Sequence, residues 1–441
     1  MMAAGLERRV QEAAELSRRW VWQGALSILD QGLVSGANFL MVMLFARWLA
    51  PRDYGAVAIG LSLFLLLANF HHALLLEPMS VLGPRRWQSR MGDYFVAILA
   101  AHAGAMVCLT AVLVFAGGIF WAEGSRLAPA LLGLSISTPA VLSFWILRRI
   151  CYVRADPAAA LRGGASFFLS ALLGVAVVRS LRWESPAALF VVTGGAALSA
   201  GIALVPVLRR LTGAGAPVRA MLGEALPAHW RYGRWMVGVS LTYWLANSAF
   251  AVLLGLSAGM AASAGLRAIE NLATPVLQAT GALSLLWLPW ISGQTEVRGM
   301  GYLRSFQWKA MLAALLITGA YLGGVLVFRG PIMKFLYGPG AYASLSGLVP
   351  VVILSTLVRG VSELSVSTAL KAAARPQAHF AASLLSAVFV LTGGWVLVSR
   401  WQVAGAAAAM LASTVLQAAV LAACFVHLTG RGERGRQGRP D

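Results

Sequence analysis

Apolar residues run along this chain in long stretches, each close to the ~20 residues that a bilayer-spanning helix requires. Twelve can be placed, at 24–46, 55–76, 94–118, 127–147, 160–178, 186–208, 235–257, 268–291, 309–328, 344–370, 377–399 and 403–427. The polar breaks between them are short except for RRLTGAGAPVRAMLGEALPAHWRYGRW, near the middle of the chain. The pattern predicts an all-α, polytopic membrane protein of twelve transmembrane helices in two six-helix lobes. Its parts are an N-terminal segment (1–23), an N-lobe (24–208), a basic linker (209–234), a C-lobe (235–427) and a basic tail (428–441). Residues 6–22 put Arg and Glu on one helical face and Leu6, Val10, Ala13, Ala14, Ser17 and Val21 on the other, which predicts a short helix lying on the membrane surface.

Composition agrees: 59% of residues are hydrophobic and 12% charged, and mean hydropathy is +0.75. A net charge of +19 would suggest nucleic acid in a soluble chain, but its distribution argues otherwise. With the N-terminus inside, 25 of the 35 Lys and Arg fall in inner segments and 9 in outer turns, leaving Arg359 within a span. The positive-inside rule then places both termini in the cytoplasm and reads the surplus as topology signal and contact with anionic lipids. The charged start MMAAGLERRVQEAAELSRRW lacks an apolar h-region, so no cleaved leader is expected. Several of the 15 Trp, among them Trp48, Trp87, Trp121, Trp183, Trp235 and Trp401, lie near span ends as an interfacial belt requires. Cys108, Cys151 and Cys424 sit in or beside apolar runs and form no disulfide framework.

Certain short segments carry a resemblance. LFARWLAPRDYGAVAIGLSLF after the first span, LLLEPMSVLGPRR after the second, AGLRAIENLATPVLQATGALSLLWLPWIS across the eighth, IMKFLYGPGAYASLSGLVPVVILS entering the tenth and WQVAGAAAAMLAST opening the twelfth resemble the bacterial Wzx-type oligosaccharide and polysaccharide flippases of the multidrug/oligosaccharidyl-lipid/polysaccharide (MOP) exporter superfamily. Pro51 stops a helix, Gly55 permits the turn, and Tyr54 and Trp48 are expected at the interface. The resemblance implies two lobes around a central cavity opening alternately to either side of the bacterial inner membrane. It implies a substrate carried on a polyprenyl pyrophosphate, cationic residues facing its head group, a proton or sodium gradient, and the polysaccharide polymerase and export machinery as candidate partners.

Polar residues inside the spans are the candidate site. Arg359 lies about fifteen residues into the tenth span, ~22 Å along a helix, and Glu363 follows one turn later. A structural ion pair and an Arg359 that meets pyrophosphate are both open readings. Asp30 stands ~9 Å inside the first span, with His71, His72 and Glu77 at similar depth or at the boundary of the second. An ion-coupling site of Asp30 with one histidine competes with a carboxylate capped by Ser27 and Gln31. Arg148 and Arg149 mark the inner end of the fourth span and can also meet an anionic head. Arg267 and Glu270 read as a solvated pair at an outer mouth or a gate. Asn247 can line the cavity or bond between helices, and His102 is expected as an interhelical donor. The expected substrate contacts are Arg359, Asn247, Arg148, Arg149 and Arg267, and the expected coupling residues Asp30, Glu363, His71, Glu77 and Glu270. No cofactor or metal site is expected. The sequence has no GxxxxGK[ST], HExxH or CxxC motif. A cation antiporter of the same superfamily and an integral-membrane glycan polymerase remain the alternatives.

Overall fold

A computed structural model describes residues 2–209, 215, 217–298, 300–338, 340, 342–373 and 376–437; parts of the expected linker and tail, including Arg210 and Arg439, lie outside them, as does Arg375 between the expected tenth and eleventh spans. Every regular element among these residues is helical, as the apolar runs require: with no water to satisfy backbone groups in lipid, a segment must bond within itself. The first helix, α1 (Met2–Trp48), is unbroken. The predicted surface helix over 6–22 is therefore continuous with the first span, because no proline interrupts an Ala-, Glu-, Leu- and Arg-rich stretch of strong helix formers.

Pro51 opens α2 (Pro51–His71) instead of merely ending α1, where its fixed φ and missing N–H are harmless. A π-helical turn, His72–Leu76, leads into α3 (Glu77–Arg86). Then come α4 (Met91–Ala122), α5 (Ala128–Val153), α6 (Pro157–Ser180), α7 (Pro186–Ala203) and the short α8 (Val205–Arg209). Asp156 and Ser185 cap α6 and α7, each accepting a backbone N–H of the first turn.

The second half holds α9 (Val218–Asn247), α10 (Phe250–Ser257), α11 (Met260–Arg298), α12 (Met300–Val327), α13 (Arg329–Tyr337), α14 (Val349–Ser362), α15 (Thr368–Ala372), α16 (Pro376–Phe389) and α17 (Trp395–Gln437). Two further π-helical turns, Glu363–Ser367 and Val390–Gly394, lie between α14 and α15 and between α16 and α17. Within α17 the axis breaks at Gln402, whose φ is 47°, at the turn expected between the last two spans. Among the described residues nine helical elements are long and apolar enough to cross a membrane, or ten if α9 and α10, bent by 55°, form one span.

The chain separates into two compact units. Unit 1 comprises 1–42, 71–119 and 131–233, and unit 2 comprises 43–70, 120–130 and 234–441. Unit 1 is centred on aromatic stacks: Trp87 on Tyr94 at 4.5 Å and Phe144 on Phe167 at 5.6 Å. Trp87 is therefore a core residue and not part of an interfacial belt, whereas Trp121, Trp183, Trp235 and Trp401 are exposed as expected. Unit 2 has one cluster built on Phe250, Leu254, Leu266, Val390 and Val398, and another on Ile291, Leu303, Leu370, Ala382 and Phe425. Gly55 has no turn to make, since it lies inside α2. A Cβ there would stand 1.8 Å from the Met260 carbonyl oxygen, so the residue permits close backbone approach.

Candidate functional site

Asp30 faces the interior of unit 1 and is completely buried. Arg148 donates to it from Nε at 2.6 Å, and the Tyr152 hydroxyl donates to the same oxygen, Oδ2. The two donors lie one turn apart on α5, so a single helical face closes on the carboxylate. Arg148 also donates from Nη2 to Gln31 Oε1 at 3.0 Å, and its guanidinium carbon lies 5.8 Å from the Tyr152 ring centre. Oδ1 of Asp30 has no hydrogen-bond partner. Gly164, on α6, lets the backbone close over this oxygen: a Cβ would stand 2.2 Å away.

Neither residue expected to cap Asp30 does so. Ser27 donates to the Gln23 carbonyl at 2.8 Å, and Gln31 donates to Ser35 at 3.1 Å. The histidines go elsewhere too. His71 Nε2 meets His102 Nδ1 at 3.0 Å, and His102 Nε2 meets Ser143 Oγ at 2.9 Å, so a buried hydrogen-bonded chain links α2, α4 and α5. His102 is thus the satisfied interhelical group expected of it.

At the π-helical turn the next residue, His72, points another way. Arg149 Nη2 donates to its Nε2 at 3.4 Å, and Glu77 Oε2 lies 3.8 Å from its Nδ1. Glu77 also accepts from the Tyr232 hydroxyl at 3.0 Å. That hydroxyl lies on α9, which in its first half belongs to unit 1. His229 on the same stretch is buried between Tyr94 and the Leu74 carbonyl, at 2.7 and 3.0 Å.

In unit 2, Arg359 donates to the Tyr243 hydroxyl and lies 5.6 Å from that ring's centre. The expected Arg359–Glu363 pair does not form. Glu363 opens a π-helical turn and is bound instead by Lys371 Nζ at 2.5 Å and Ser367 Oγ at 2.9 Å. The wider turn carries the Glu363 carbonyl to Thr368 five residues on, at 2.7 Å, and brings Lys371, eight residues on, within reach.

Arg267 and Glu270 are paired at 3.4 Å, but with side chains 25% and 21% exposed they are not a solvated surface pair. Asn247 ends α9 and folds back on the Tyr243 carbonyl at 2.9 Å, at the 55° bend into α10. One cluster escaped the sequence reading. Asn271, buried, donates to the hydroxyls of Tyr54 at 2.8 Å and Tyr337 at 3.5 Å, and Tyr337 donates to the Ala268 carbonyl at 2.8 Å. Tyr54 is fully buried, not interfacial. Its signal, a Tyr beside a Pro turn, is the same for both environments.

Three of the four acidic candidates are thus engaged by Lys or Arg, Asp30 with Arg148, Glu270 with Arg267 and Glu363 with Lys371, while Glu77 meets His72 and Tyr232. Arg149 and Arg359 differ. Among the described residues neither has a carboxylate within 4.0 Å, and each meets a neutral ring, His72 or Tyr243.

No protein-family model matches the sequence, and no curated protein is significantly similar to it. Solved structures do match. An inward-facing multidrug resistance MATE family transporter of the MOP superfamily is 13% identical with a TM-score of 0.70, over 92% of this chain and 99% of that one. The lipid II flippase MurJ, inward closed, is 12% identical with a TM-score of 0.69, over 91% and 86%. A MOP superfamily transporter from Pyrococcus furiosus, described by the reverse polarity of its binding pocket, is 13% identical with a TM-score of 0.64, over 96% of both chains. Across nearly its whole length the chain has the multi-pass fold of the MOP superfamily transporters.

Proposed function

We propose that this protein is a flippase that moves a polyprenyl-pyrophosphate-linked oligosaccharide across the bacterial cytoplasmic membrane for cell-surface polysaccharide synthesis. Its termini are cytoplasmic, its lobes alternate in access, and its cycle is coupled to a proton or sodium gradient. Polysaccharide polymerase and export proteins are its expected neighbours. The observation that carries the reading is the pair of arginines, Arg149 and Arg359, with no carboxylate partner among the described residues. A cation inside a span is expensive and, with no carboxylate bonded to it, favours an anionic ligand. A carrier of cationic drugs needs the opposite, acidic groups open to the ligand. Here Asp30, Glu270 and Glu363 are each closed by a cation of their own unit. Arg148 and Arg267 therefore act as counter-ions in this state, while Arg149 is the head-group contact that unit 1 offers and Arg359 the one that unit 2 offers.

The test is accumulation of lipid-linked glycan in cells lacking the protein, complemented at matched membrane levels with wild type, Arg359→Ala or Arg149→Ala. Glycan left on the cytoplasmic leaflet, cleared by wild type and not by the variants, supports the reading. Normal glycan at the outer face without the protein overturns it and directs attention to drug efflux.

A further inference from the structure

In the Asp30–Arg148 pair one carboxylate oxygen is bonded by two donors and the other, equally buried, has none. Both donors converge on Oδ2, while Oδ1 has no partner and faces the bare backbone at Gly164. A proton can therefore be added to Oδ1 without displacing a donor. Arg148 is the more accessible partner: 12% of its side chain is exposed and none of Asp30. Its Nη2 holds only the neutral Gln31, and its Nη1 makes no hydrogen bond among the described residues. Neutralising Asp30 would leave the Arg148 guanidinium without a counter-ion and bonded only to the neutral Gln31, which is unfavourable until another anion arrives. A guanidinium is also the side chain best shaped to take phosphate oxygens in a fork.

We infer that Asp30 is an exchangeable counter-ion: Arg148 gives it up for the phosphate oxygens of the head group, and head group and one proton bind together. The inference rests on the flippase reading above. In the step, an aqueous proton bonds to Asp30 Oδ1, the Arg148 Nε–H···Oδ2 bond opens, and the same N–H groups donate to phosphate. No covalent bond of the substrate changes, and Arg148 has an anionic partner before and after the step.

The groups facing the pair are few. Tyr152 and Gln31 touch it, and Cys151 lies beside it in a neighbourhood that also contains Arg154, Asp156 and Arg162. Arg149, one residue on, is against His72 with Glu77 beyond. None of these supplies Oδ1 with a donor. A pair that is only structural would make neither exchange. Reciprocity demands that protonation raise anion affinity by the factor with which the anion raises proton affinity.

The experiment uses the full chain in lipid nanodiscs and, as probe, a polyprenyl pyrophosphate without glycan. Affinity is measured between pH 5.5 and 8.5, and proton uptake on binding is followed with a pH indicator in weak buffer. Wild type is expected to take up one proton more than Asp30→Asn, which corrects for the probe's own ionisation. At pH 8, Asp30→Asn should bind about tenfold more tightly than wild type, within the usual span of coupling factors. Tyr152→Phe, which removes one donor from Oδ2, should keep the one-proton uptake and bind more tightly than wild type at pH 8. Equal uptake and equal affinity in wild type and Asp30→Asn would overturn the exchange while leaving the flippase reading standing. Failure of wild type to bind the probe at any pH would overturn both.

Discussion

Removing Arg148 should be far more harmful than removing the charge it neutralises. Asp30 is completely buried, its Oδ1 already lacks a partner, and Arg148 Nε at 2.6 Å is the one cation bonded to it among the described residues. Arg148→Met keeps the volume of the stem and strands the carboxylate with Tyr152 alone. Breaking a buried pair in this way costs about 3–5 kcal/mol, the penalty of an uncompensated charge. Asp30→Asn is isosteric and keeps an acceptor for the Tyr152 hydroxyl. What it strands is a guanidinium that is 12% exposed and still bonded to Gln31, so its cost should be nearer ~1–2 kcal/mol. In the double variant Asp30→Asn/Arg148→Met no charge is stranded, and it should be more stable than Arg148→Met alone, with a coupling of about 2 kcal/mol. The assay is thermal unfolding of the four proteins in one detergent. Midpoint shifts fall with chain size, so the gap between the two single variants should be on the order of a few degrees. If Arg148→Met is no less stable than Asp30→Asn, or if the double variant shows the sum of the single losses, the pair does not carry the energy assigned to it.

Three further outcomes follow from the geometry. Gly164→Ala would place a Cβ 2.2 Å from Asp30 Oδ1 and 3.3 Å from its carboxyl carbon, so it should lower stability by about 1–3 kcal/mol through overpacking, measurable as a lower unfolding midpoint. Asn271→Leu removes the donor that Tyr54 accepts at 2.8 Å and should cost about 1–3 kcal/mol as a buried polar group loses its partner; much of the loss should return in Asn271→Leu/Tyr54→Phe. Outside the spans, the hydrogen bond from Arg179 holds the Glu184 carboxyl below its ordinary value of 4.5. A lowered folded value means a contribution present above about pH 4.5 and lost as pH falls through the folded value, so Glu184→Gln should flatten the acid side of the stability profile.

The all-helical, multi-pass character was legible because hydropathy is a property of each stretch by itself, although nine or ten of the described helical elements pass as spans where twelve were expected; Asp30 and Arg359 stood out as charges in apolar runs. Their partners were not legible. Arg148 and Tyr152 lie 118 and 122 residues from Asp30, and nothing local announces which helical faces meet. Where local spacing did suggest a pair, at Arg359 and Glu363, a π-helical turn redirected the carboxylate to Lys371; one extra residue in a turn defeats a rule built on 3.6 residues. His71 and His72, adjacent and so about 100° apart on a helix, enter two different networks that sequence alone does not name. Tyr54 and Trp87 were misplaced at the interface because an aromatic ring with a polar tip suits both a membrane surface and a core where its tip is bonded or its face is stacked.

The exchange at Asp30 bears on what drives the cycle. Moving one negative charge outward through an inside-negative membrane gains about 2.3 kcal/mol per 100 mV, and a proton carried with it returns the same amount. A head group with more than one negative charge therefore still moves outward down the potential when one proton accompanies it. On this reading the electrical part of the ion gradient drives export, and the accompanying proton itself adds no energy. Its work is to release Arg148 when the head group is there to replace Asp30, so that the guanidinium is never left bare. The consequence can be checked in proteoliposomes. Transport should accelerate with an imposed inside-negative potential at equal pH on both sides, and Asp30→Asn, which carries one negative charge more per cycle, should respond to the potential more steeply than wild type. A wild-type rate indifferent to potential and proportional to the pH gradient would show instead that the proton is the fuel.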